Sequence, residues 1–432
     1  MSDDTSQPKQ IFARRHAAQL DACLPGWRES AEEVVEFLRK RAGRQVIGDK
    51  AFGVVFTPTR HCNLRCGHCA VNAPFRADEM GETDVELGQR EATIVIEKVA
   101  GFSKRRSVPV FLMFGGGEPT LRADFMSLVA VANKLLGRSA IGFCTNGTFR
   151  RWEYLRQAAS YVGLLELSLD GFEDYHNKWR GKGWKRSDGT PFSVALSVAS
   201  RAAEEMPEIL EVTSVLTREN LQSLPAFARF LRDSVGVRNY SVHRPVTVGR
   251  MATRRALVPS QEEYYRFFVE MARVANENDE FKVHVHHSLE SIYSALLLGQ
   301  DIHRASLPLA SSRHSIGVSW DGRVHFDPWA LVKPFSLWSA GSLLSENAEI
   351  ETFVDAPSSI LGLVAAAQRD NVRCEQCDEV CTGGMRLLAM ADYLAQRRQR
   401  READVAQLMA ALSRRDPACP LAVQQVGTSR AP

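Results

Sequence analysis

The chain has 432 residues, of which 44% are hydrophobic and 24% are charged, a composition that supports a sizeable core and excludes global disorder. Lysine and arginine number 54 against 51 aspartate and glutamate, and this near balance argues against a nucleic-acid-binding protein, which usually has a strong basic excess. Because no apolar run approaches the roughly 18 to 20 residues of a transmembrane helix, we expect a cytoplasmic protein without a nucleic-acid or membrane partner.

The first predicted elements are a helical segment and then a long alternation of strands and helices. Residues 1–50 are expected to be a charged helical segment, and from residue 51 short apolar runs predict strands separated by amphipathic helices. The predicted strands are 53–57, 110–114, 141–145, 164–169, 210–216 and 239–243, and the clearest helices are 85–99, 123–136 and 224–234. Such alternation indicates parallel βαβ units. Residues 51–250 are therefore predicted to be an α/β unit, a partial (β/α)6 TIM-like barrel.

The pattern changes after residue 250. Residues 251–303 are expected to be a helical bridge, with helices at 261–276 and 288–298. Residues 315–326 alternate around Asp321-Gly322, which is typical of a β-hairpin. The range 304–432 is predicted to be a second domain.

Three cysteines form a tight group directly after the first predicted strand: Cys62, Cys66 and Cys69. Three thiolates at this spacing on a loop can ligate one face of an iron–sulfur cube and leave one iron open to an exogenous molecule. The alternative is a zinc site in which His61 or His68 supplies the fourth ligand. The spacing alone does not decide between the two.

Polar or glycine-bearing ends follow the next three predicted strands. Gly115-Gly116-Gly117-Glu118 follows the second strand, Asn146 follows the third, and Ser168-Leu169-Asp170 ends the fourth. Barrel enzymes place their active sites at the carboxyl ends of parallel strands. A zinc site would explain none of these features.

Together, the cysteine spacing, the Gly-Gly-Glu-Pro element and the strand ends resemble the radical S-adenosylmethionine (SAM) superfamily over about residues 51–250. The resemblance implies that Cys62, Cys66 and Cys69 hold a [4Fe–4S] cluster whose open iron is chelated by the amino and carboxylate groups of SAM. It also implies further SAM contacts. The amino group of SAM would be contacted by Gly115, Gly116, Gly117 and Glu118, and the ribose or methionine portion by Ser168 and Asp170. His68 would lie near the adenine, Arg180 would contact the carboxylate, and Asn146 is a further candidate contact. An electron donor such as flavodoxin or ferredoxin would reduce the cluster, and SAM cleavage would yield a 5′-deoxyadenosyl radical that abstracts hydrogen.

A second cysteine group lies near the carboxyl end: Cys374, Cys377, Cys381 and Cys419. Four thiolates suit a closed site, either a fully ligated cluster or a structural zinc, and spacing alone cannot choose between them. Behind a radical SAM region, this group resembles the SPASM/twitch type of C-terminal iron–sulfur domain. That resemblance implies an auxiliary [4Fe–4S] cluster.

The resemblance to a full SPASM domain is incomplete. Three further cysteine positions of such domains are occupied here by His314, Asp327 and Met385, so we expect one auxiliary cluster rather than two. His314 and Asp327 then become candidate acid–base or substrate-binding groups, although a structural role is an equal alternative. The histidines at 284, 286 and 287 are candidates for the same cavity, and a structural role is the commoner one for such residues.

The expected function is an enzyme that modifies a ribosomally made peptide by crosslinking, epimerisation or oxidation. The second hypothesis is a dehydrogenase or dehydratase that acts on a small molecule, such as a sugar or aminoglycoside precursor. The third is a zinc-binding interaction protein without catalytic activity.

Overall fold

The computed structural model describes most of the predicted barrel and part of the region that follows it. The described residues are 21, 24–42, 51–74, 85–148, 151–185, 187–298, 315–333, 335–356 and 358–362. The auxiliary-cluster prediction on Cys374, Cys377, Cys381 and Cys419 lies outside these residues, as does the prediction for His314. Among the described residues, no helix is long and apolar enough to cross a membrane.

Ten strands form one sheet in the order β10-β9-β8-β1-β2-β3-β4-β5-β6-β7. They are β1 (Phe52–Thr59), β2 (Val110–Gly116), β3 (Ile141–Thr145), β4 (Leu164–Ser168), β5 (Leu210–Val215), β6 (Asn239–His243), β7 (Lys282–Val285), β8 (Ser315–Val318), β9 (Arg323–His325) and β10 (Gly341–Ser342). Strands β1 to β7 pair in parallel, each with the next. The predicted α/β fold with a partial TIM-like barrel is confirmed, and the six predicted strands end within two residues of the observed limits.

Helices connect these strands. They are α1 (Ala31–Ala42), α2 (Gln89–Arg106), α3 (Phe125–Leu136), α4 (Trp152–Ser160), α5 (Glu173–Arg180), α6 (Pro191–Glu205), α7 (Leu224–Phe230), α8 (Gln261–Asn276), α9 (His287–Leu298) and α10 (Ile350–Val354). Helix α8 has the predicted limits because Ser260 and Glu263 form a capping box at its start. Helix α2 begins four residues later than predicted, where Gly88 and Glu91 form its N-terminal cap.

The two faces of the barrel sheet differ in composition. On β4, Leu165 and Leu167 are fully buried in the core formed with the surrounding helices, whereas Glu166 and Ser168 alternate with them and face the other side. Phe125 of α3 is part of that core, and its ring lies 5.3 Å from the ring of Phe143 in an edge-to-face contact. The helices therefore cover one face of the sheet, and the opposite face lines the interior of the barrel.

Two segments beyond the six predicted βα units extend the same sheet. Strand β7 lies in the range predicted as a helical bridge and pairs in parallel with β6, so that range contributes a strand as well as two helices. The predicted hairpin is present as β8 and β9, with Gly322 at a φ of 76° in its turn. Strand β8 pairs in parallel with β1, with Ser315 opposite Gly53. The described part of the 304–432 range is thus continuous with the barrel sheet.

Candidate active site at the carboxyl ends of the strands

The three cysteines of the first group lie on the loop that follows β1. Cys62 and Cys66 are 7% and 8% exposed and pack in a small apolar cluster that includes Leu64 and Trp320. The backbone N–H of Leu64 donates to Cys62 Sγ at 3.4 Å. Burial raises the pKa of the Cys62 thiol well above its usual range and that of Cys66 to about 11. Binding of iron by Cys62 and Cys66 would therefore require both thiols to lose a proton that they bind tightly.

The glycine element at the end of β2 packs directly on this loop. The Gly117 N–H donates to the Thr59 carbonyl at 3.0 Å, and the Glu118 N–H donates to the His61 carbonyl at 2.8 Å. A Cβ at Gly117 would lie 2.5 Å from the Arg60 carbonyl oxygen and closer still to that of His61. Glycine is therefore required here because backbone meets backbone.

The Glu118 side chain connects the ends of β2 and β3. It is 2% exposed and accepts hydrogen bonds from the Thr120 hydroxyl at 2.5 Å, the Thr145 hydroxyl at 3.0 Å and the Asn146 N–H at 2.7 Å. Burial raises the pKa of this carboxyl despite these donors. Because the Glu118 carboxylate is already hydrogen-bonded within the protein, we expect the glycine backbone of this element to make the contact with SAM. That contact stays a prediction.

Asn146 lies against the first cysteine. Its side-chain amide donates to Asn63 Oδ1 at 2.9 Å and lies 3.7 Å from Cys62 Sγ. The Thr148 hydroxyl donates to Asn146 Oδ1 at 2.6 Å and accepts from the Asn63 amide at 2.8 Å, which closes a ring of three polar side chains. Asn146 was predicted from the sequence, whereas Asn63 and Thr148 were not, because their only signal is their position beside predicted site residues.

Asp170, at the end of β4, is surrounded by donors. It is fully buried, and its Oδ2 lies 2.5 Å from Arg180 Nε and 3.2 Å from His68 Nε2. Its Oδ1 accepts from Arg180 Nη2 at 3.1 Å and from the Val215 N–H at 3.0 Å. Burial opposes ionisation, but Arg180 and His68 hold the pKa of Asp170 well below its usual range. Three residues predicted as separate SAM contacts are thus brought together and contact one another.

A segment after β6 contacts the cysteine loop from the other side. The Arg250 backbone N–H donates to the Cys69 carbonyl at 2.9 Å, and its guanidinium donates to the Cys66 carbonyl at 3.3 Å. Arg254 lies 5.0 Å from the ring centroid of Trp179, whose carbonyl accepts from the Gly67 N–H at 2.8 Å. Nothing in the sequence pattern indicated these contacts, since they depend on how the chain turns after β6.

The remaining predicted residues have separate positions. Ser168 lies on the interior face of β4, opposite Thr213 of β5. Asp327 follows β9 and accepts from the Trp329 N–H at 2.8 Å, so it caps a turn. His284 lies 3.5 Å from Glu290. The assignments of Ser168 to SAM and of Asp327 to acid–base chemistry stay predictions.

The donor set fits an iron–sulfur cluster. His68, one of the two histidines considered as a fourth zinc ligand, has its Nε2 3.2 Å from Asp170 Oδ2. Two buried thiols and a partly buried one on a single loop, with a backbone N–H directed at a sulfur, fit the thiolate ligands of an iron–sulfur cube.

Comparisons with known proteins agree with this geometry. Residues 56–231 match the family model of the Radical SAM superfamily. The Fe-coproporphyrin III synthase of Methanosarcina barkeri is 29% identical over 373 residues, which cover 80% of this chain and 86% of that protein. The mycofactocin maturase MftC of Mycolicibacterium smegmatis is 29% identical over 177 residues, and this match covers 39% of each protein.

A solved structure shares the fold. Streptococcus suis SuiB bound to precursor peptide SuiA superposes with a TM-score of 0.59 at 13% identity, over 82% of this chain and 75% of that one. At this identity the likeness concerns architecture alone. It places the strands, and hence the loops at their carboxyl ends, in corresponding positions.

Proposed function

This chain belongs to the radical SAM superfamily and to its SPASM/twitch subgroup, and from that membership we propose that the enzyme abstracts hydrogen from a C–H bond of a peptide substrate. The observation that carries the proposal is the loop bearing Cys62, Cys66 and Cys69. Cys62 and Cys66 are buried in an apolar cluster, Cys69 packs against that cluster, and the loop packs against the glycine element. A single loop with three thiols leaves one corner of a cube for SAM.

Cys62, Cys66 and Cys69 would hold the [4Fe–4S] cluster, and the cluster with SAM would supply a 5′-deoxyadenosyl radical. The protein's own part is to fix this loop and to keep water away from it. Arg250 holds the loop carbonyls, and Trp320 packs beside the thiols. Such shielding protects a reactive species from side reactions.

Two further components of the proposal concern electron transfer. We assign one auxiliary [4Fe–4S] cluster to Cys374, Cys377, Cys381 and Cys419, on the residue pattern alone. Flavodoxin or ferredoxin is the class of protein that would deliver the electron.

A peptide is the substrate class that we favour. It is supported by the similarity to a mycofactocin maturase and by a fold shared with a protein solved in complex with its precursor peptide. Crosslinking, epimerisation and oxidation all begin with hydrogen abstraction, and the product mass would tell them apart.

A small molecule is the second candidate, and one observation favours it. The match to the Fe-coproporphyrin III synthase spans 80% of this chain, about twice the share matched by the maturase. The candidate substrate would then be an iron porphyrin or a related tetrapyrrole.

The radical chemistry is tested with anaerobically reconstituted full-length protein, SAM and dithionite. We expect a brown protein that releases methionine and 5′-deoxyadenosine, and we expect Cys62→Ala to abolish the release. Ser160→Ala, at the exposed end of α4, is the matched control and should retain it. A colourless wild-type protein that forms no 5′-deoxyadenosine would contradict the proposal.

The substrate class is tested by product mass. Reduced enzyme is incubated separately with a short peptide encoded beside its gene and with iron coproporphyrin III. A peptide that loses two hydrogens, or gains one deuterium from heavy water, supports the peptide assignment. A change confined to the porphyrin would transfer the assignment to the second candidate.

A further inference from the structure

A row of polar side chains crosses the interior face of the barrel. Cys144 of β3 lies opposite Glu166 of β4, and Glu166 lies opposite Glu211 of β5. On β6, Asn239 continues the row opposite Glu211, and Ser241 and His243 lie on the same face nearer the carboxyl end of the strand, close enough to affect the pKa of Glu211. We call Cys144, Glu166, Glu211, Ser241 and His243 the lumen cluster. Both carboxylates remain partly accessible, although they lie inside the curve of the sheet.

The charge of the lumen cluster is not neutralised by its surroundings. The two arginines that influence its carboxylates are each paired with another acid: Arg41 Nε lies 3.0 Å from Glu290, and Arg180 Nε lies 2.5 Å from Asp170. In the described part of the chain, neither lumen carboxylate accepts a hydrogen bond from a backbone N–H or an arginine. Their neighbours are thiol and hydroxyl groups, which carry no positive charge.

Glu166 also raises the proton affinity of Glu211. Burial, followed by the repulsion from Glu166, raises the pKa of Glu211 to about 7. Burial likewise raises the pKa of Glu166 and lowers that of His243, so the imidazole remains neutral. Two carboxyl groups that share a buried site behave in this way when no cation lies between them.

Two buried polar atoms of the cluster are not fully satisfied. The Ser241 side chain is 1% exposed; its hydroxyl acts on Glu211 as a hydrogen-bond donor and lowers the pKa of that carboxyl, but the contact falls outside the geometry of a well-formed hydrogen bond. The His243 Nε2 is buried and has no hydrogen-bond partner among the described residues. Buried polar groups are hydrogen-bonded in the great majority of cases. Polar atoms that are not fully satisfied beside two carboxylates indicate a place that receives a polar ligand.

We propose that the lumen cluster binds a cationic group of the substrate, an alkylammonium or guanidinium, with Glu166 and Glu211 as its acceptors. This inference rests on the proposed function and narrows its substrate class to a peptide that presents a lysine or arginine side chain. Glu166 precedes Ser168 by two residues on the same face of β4, which places it about 7 Å deeper than the strand end. A basic side chain inserted from the carboxyl ends of the strands would span that depth.

The test uses butylguanidinium and butylammonium as probes, with butyramide and butyrate as neutral and anionic counterparts. Binding to the full-length, anaerobically reconstituted protein with SAM is measured by calorimetry. We expect the cations to bind at least tenfold more tightly than butyramide and butyrate to show no binding. Equal affinity for butyramide and the cations would overturn the inference.

Substitutions locate the binding. Glu166→Gln and Glu211→Gln should each weaken butylguanidinium binding at least tenfold, because an ion pair between guanidinium and carboxylate becomes a hydrogen bond from the guanidinium to an uncharged amide. Glu204→Gln makes the same chemical change at an exposed position on α6 and should leave binding unaltered. Unaltered binding in both lumen variants would overturn the inference.

A wild-type measurement covers the case in which the variants fail to fold. The titratable and charged groups that face Glu211 are Glu166, the neutral His243 and Arg41, and a bound cation favours the ionised form of Glu211. Binding at pH 7 should therefore release protons, read from heats in buffers of different ionisation enthalpy, and the release should vanish at pH 9. Binding without proton release at pH 7 would contradict a site at Glu211.

The same wild-type preparation separates this inference from the proposed function. It is assayed for 5′-deoxyadenosine with SAM and dithionite in the absence of any probe. If 5′-deoxyadenosine forms but the cations do not bind, the lumen inference fails and the radical SAM function stands. If none forms, the proposed function fails, whatever the probes show.

Discussion

The molecule holds two sets of carboxylates inside the barrel and at its strand ends, and they differ in how their charge is balanced. At the strand ends, Asp170 is surrounded by Arg180, His68 and a backbone N–H, and Glu118 accepts from hydroxyls and a backbone N–H. In the lumen, Glu166 and Glu211 lie beside each other without a cation between them. We call the first set the rim carboxylates.

The difference separates structure from binding. A carboxylate whose lone pairs are all used holds neighbouring elements in place, and the rim carboxylates connect β2, β3, β4 and α5 beneath the cysteine loop. A carboxylate with unused lone pairs costs desolvation energy until a ligand arrives. We therefore expect the rim carboxylates to hold the strand ends in place and the lumen carboxylates to bind a ligand.

The largest effect that would separate the two sets is expected for Asp170→Asn. This change leaves the Arg180 guanidinium buried without its counter-charge, and removal of one partner from a buried ion pair costs about 3 to 5 kcal/mol. We expect a loss of that size in the free energy of unfolding by urea, together with reduced iron content after reconstitution. The matched acid-to-amide control, Glu166→Gln, should cost less than about 1 kcal/mol because it breaks no ion pair. Equal losses would remove the distinction between rim and lumen.

The next effect concerns the backbone contact that supports the rim. In Gly117→Ala the new methyl group would overlap the Arg60 and His61 carbonyls, and such overpacking against backbone costs about 3 kcal/mol. The control is Gly115→Ala, where the nearest atom is a Val55 methyl at 3.4 Å, an ordinary contact. Thermal unfolding of the apo proteins measures both. Similar melting temperatures for the two variants would show that the loops do not meet as described.

Much of the fold could be predicted because local patterns determine it. The six strands are apolar runs between amphipathic helices, and the Ser260 capping box marked the start of α8. The start of α2 was misplaced because Val85 suggested a helix position, whereas it is 72% exposed before the Gly88 cap. Strand β7 was missed because its polar residues, Lys282 and His284, alternate with only two apolar ones.

The site could be predicted only in part. Cysteine spacing and glycine runs are local signals, so the loop and its partner element were found. The network of His68, Asp170 and Arg180 was not, because the three residues come from separate elements and their contacts depend on tertiary distance. The lumen carboxylates had a signal that was overlooked: Glu166 and Glu211 are each the only charged residue of their predicted strand.

A smaller effect concerns the pH dependence that the lumen carboxylates impose on stability. A carboxyl whose folded pKa is about 7 binds its proton more tightly in the folded state than in the unfolded chain, so its contribution falls as the pH rises from about 4.5 to about 7. In Glu211→Gln this loss is absent, and we expect the variant to gain about 2 kcal/mol over wild type between pH 5 and pH 8. Urea unfolding at both values measures the gain, and Glu204→Gln should show none. A gain in both variants would point to net charge rather than to the lumen.

The smallest effect tests how firmly the segment after β6 holds Trp179, which contacts the cysteine loop. Arg254 lies 5.0 Å from the Trp179 ring centroid, and this half-buried contact is worth about 1 kcal/mol. Arg254→Leu keeps the apolar stem and removes the charge, so urea unfolding should report that loss. Lys178 approaches the same ring at 5.8 Å from a largely exposed position, and Lys178→Leu should therefore cost less than about 0.5 kcal/mol. Equal costs would mean that Arg254 holds Trp179 no more firmly than Lys178 does, and that the indole is held by the hydrogen bond from its Nε1 to Glu219 at 3.0 Å. The fixed position of the rim carboxylates would then depend on the network of Asp170, Arg180 and His68 alone.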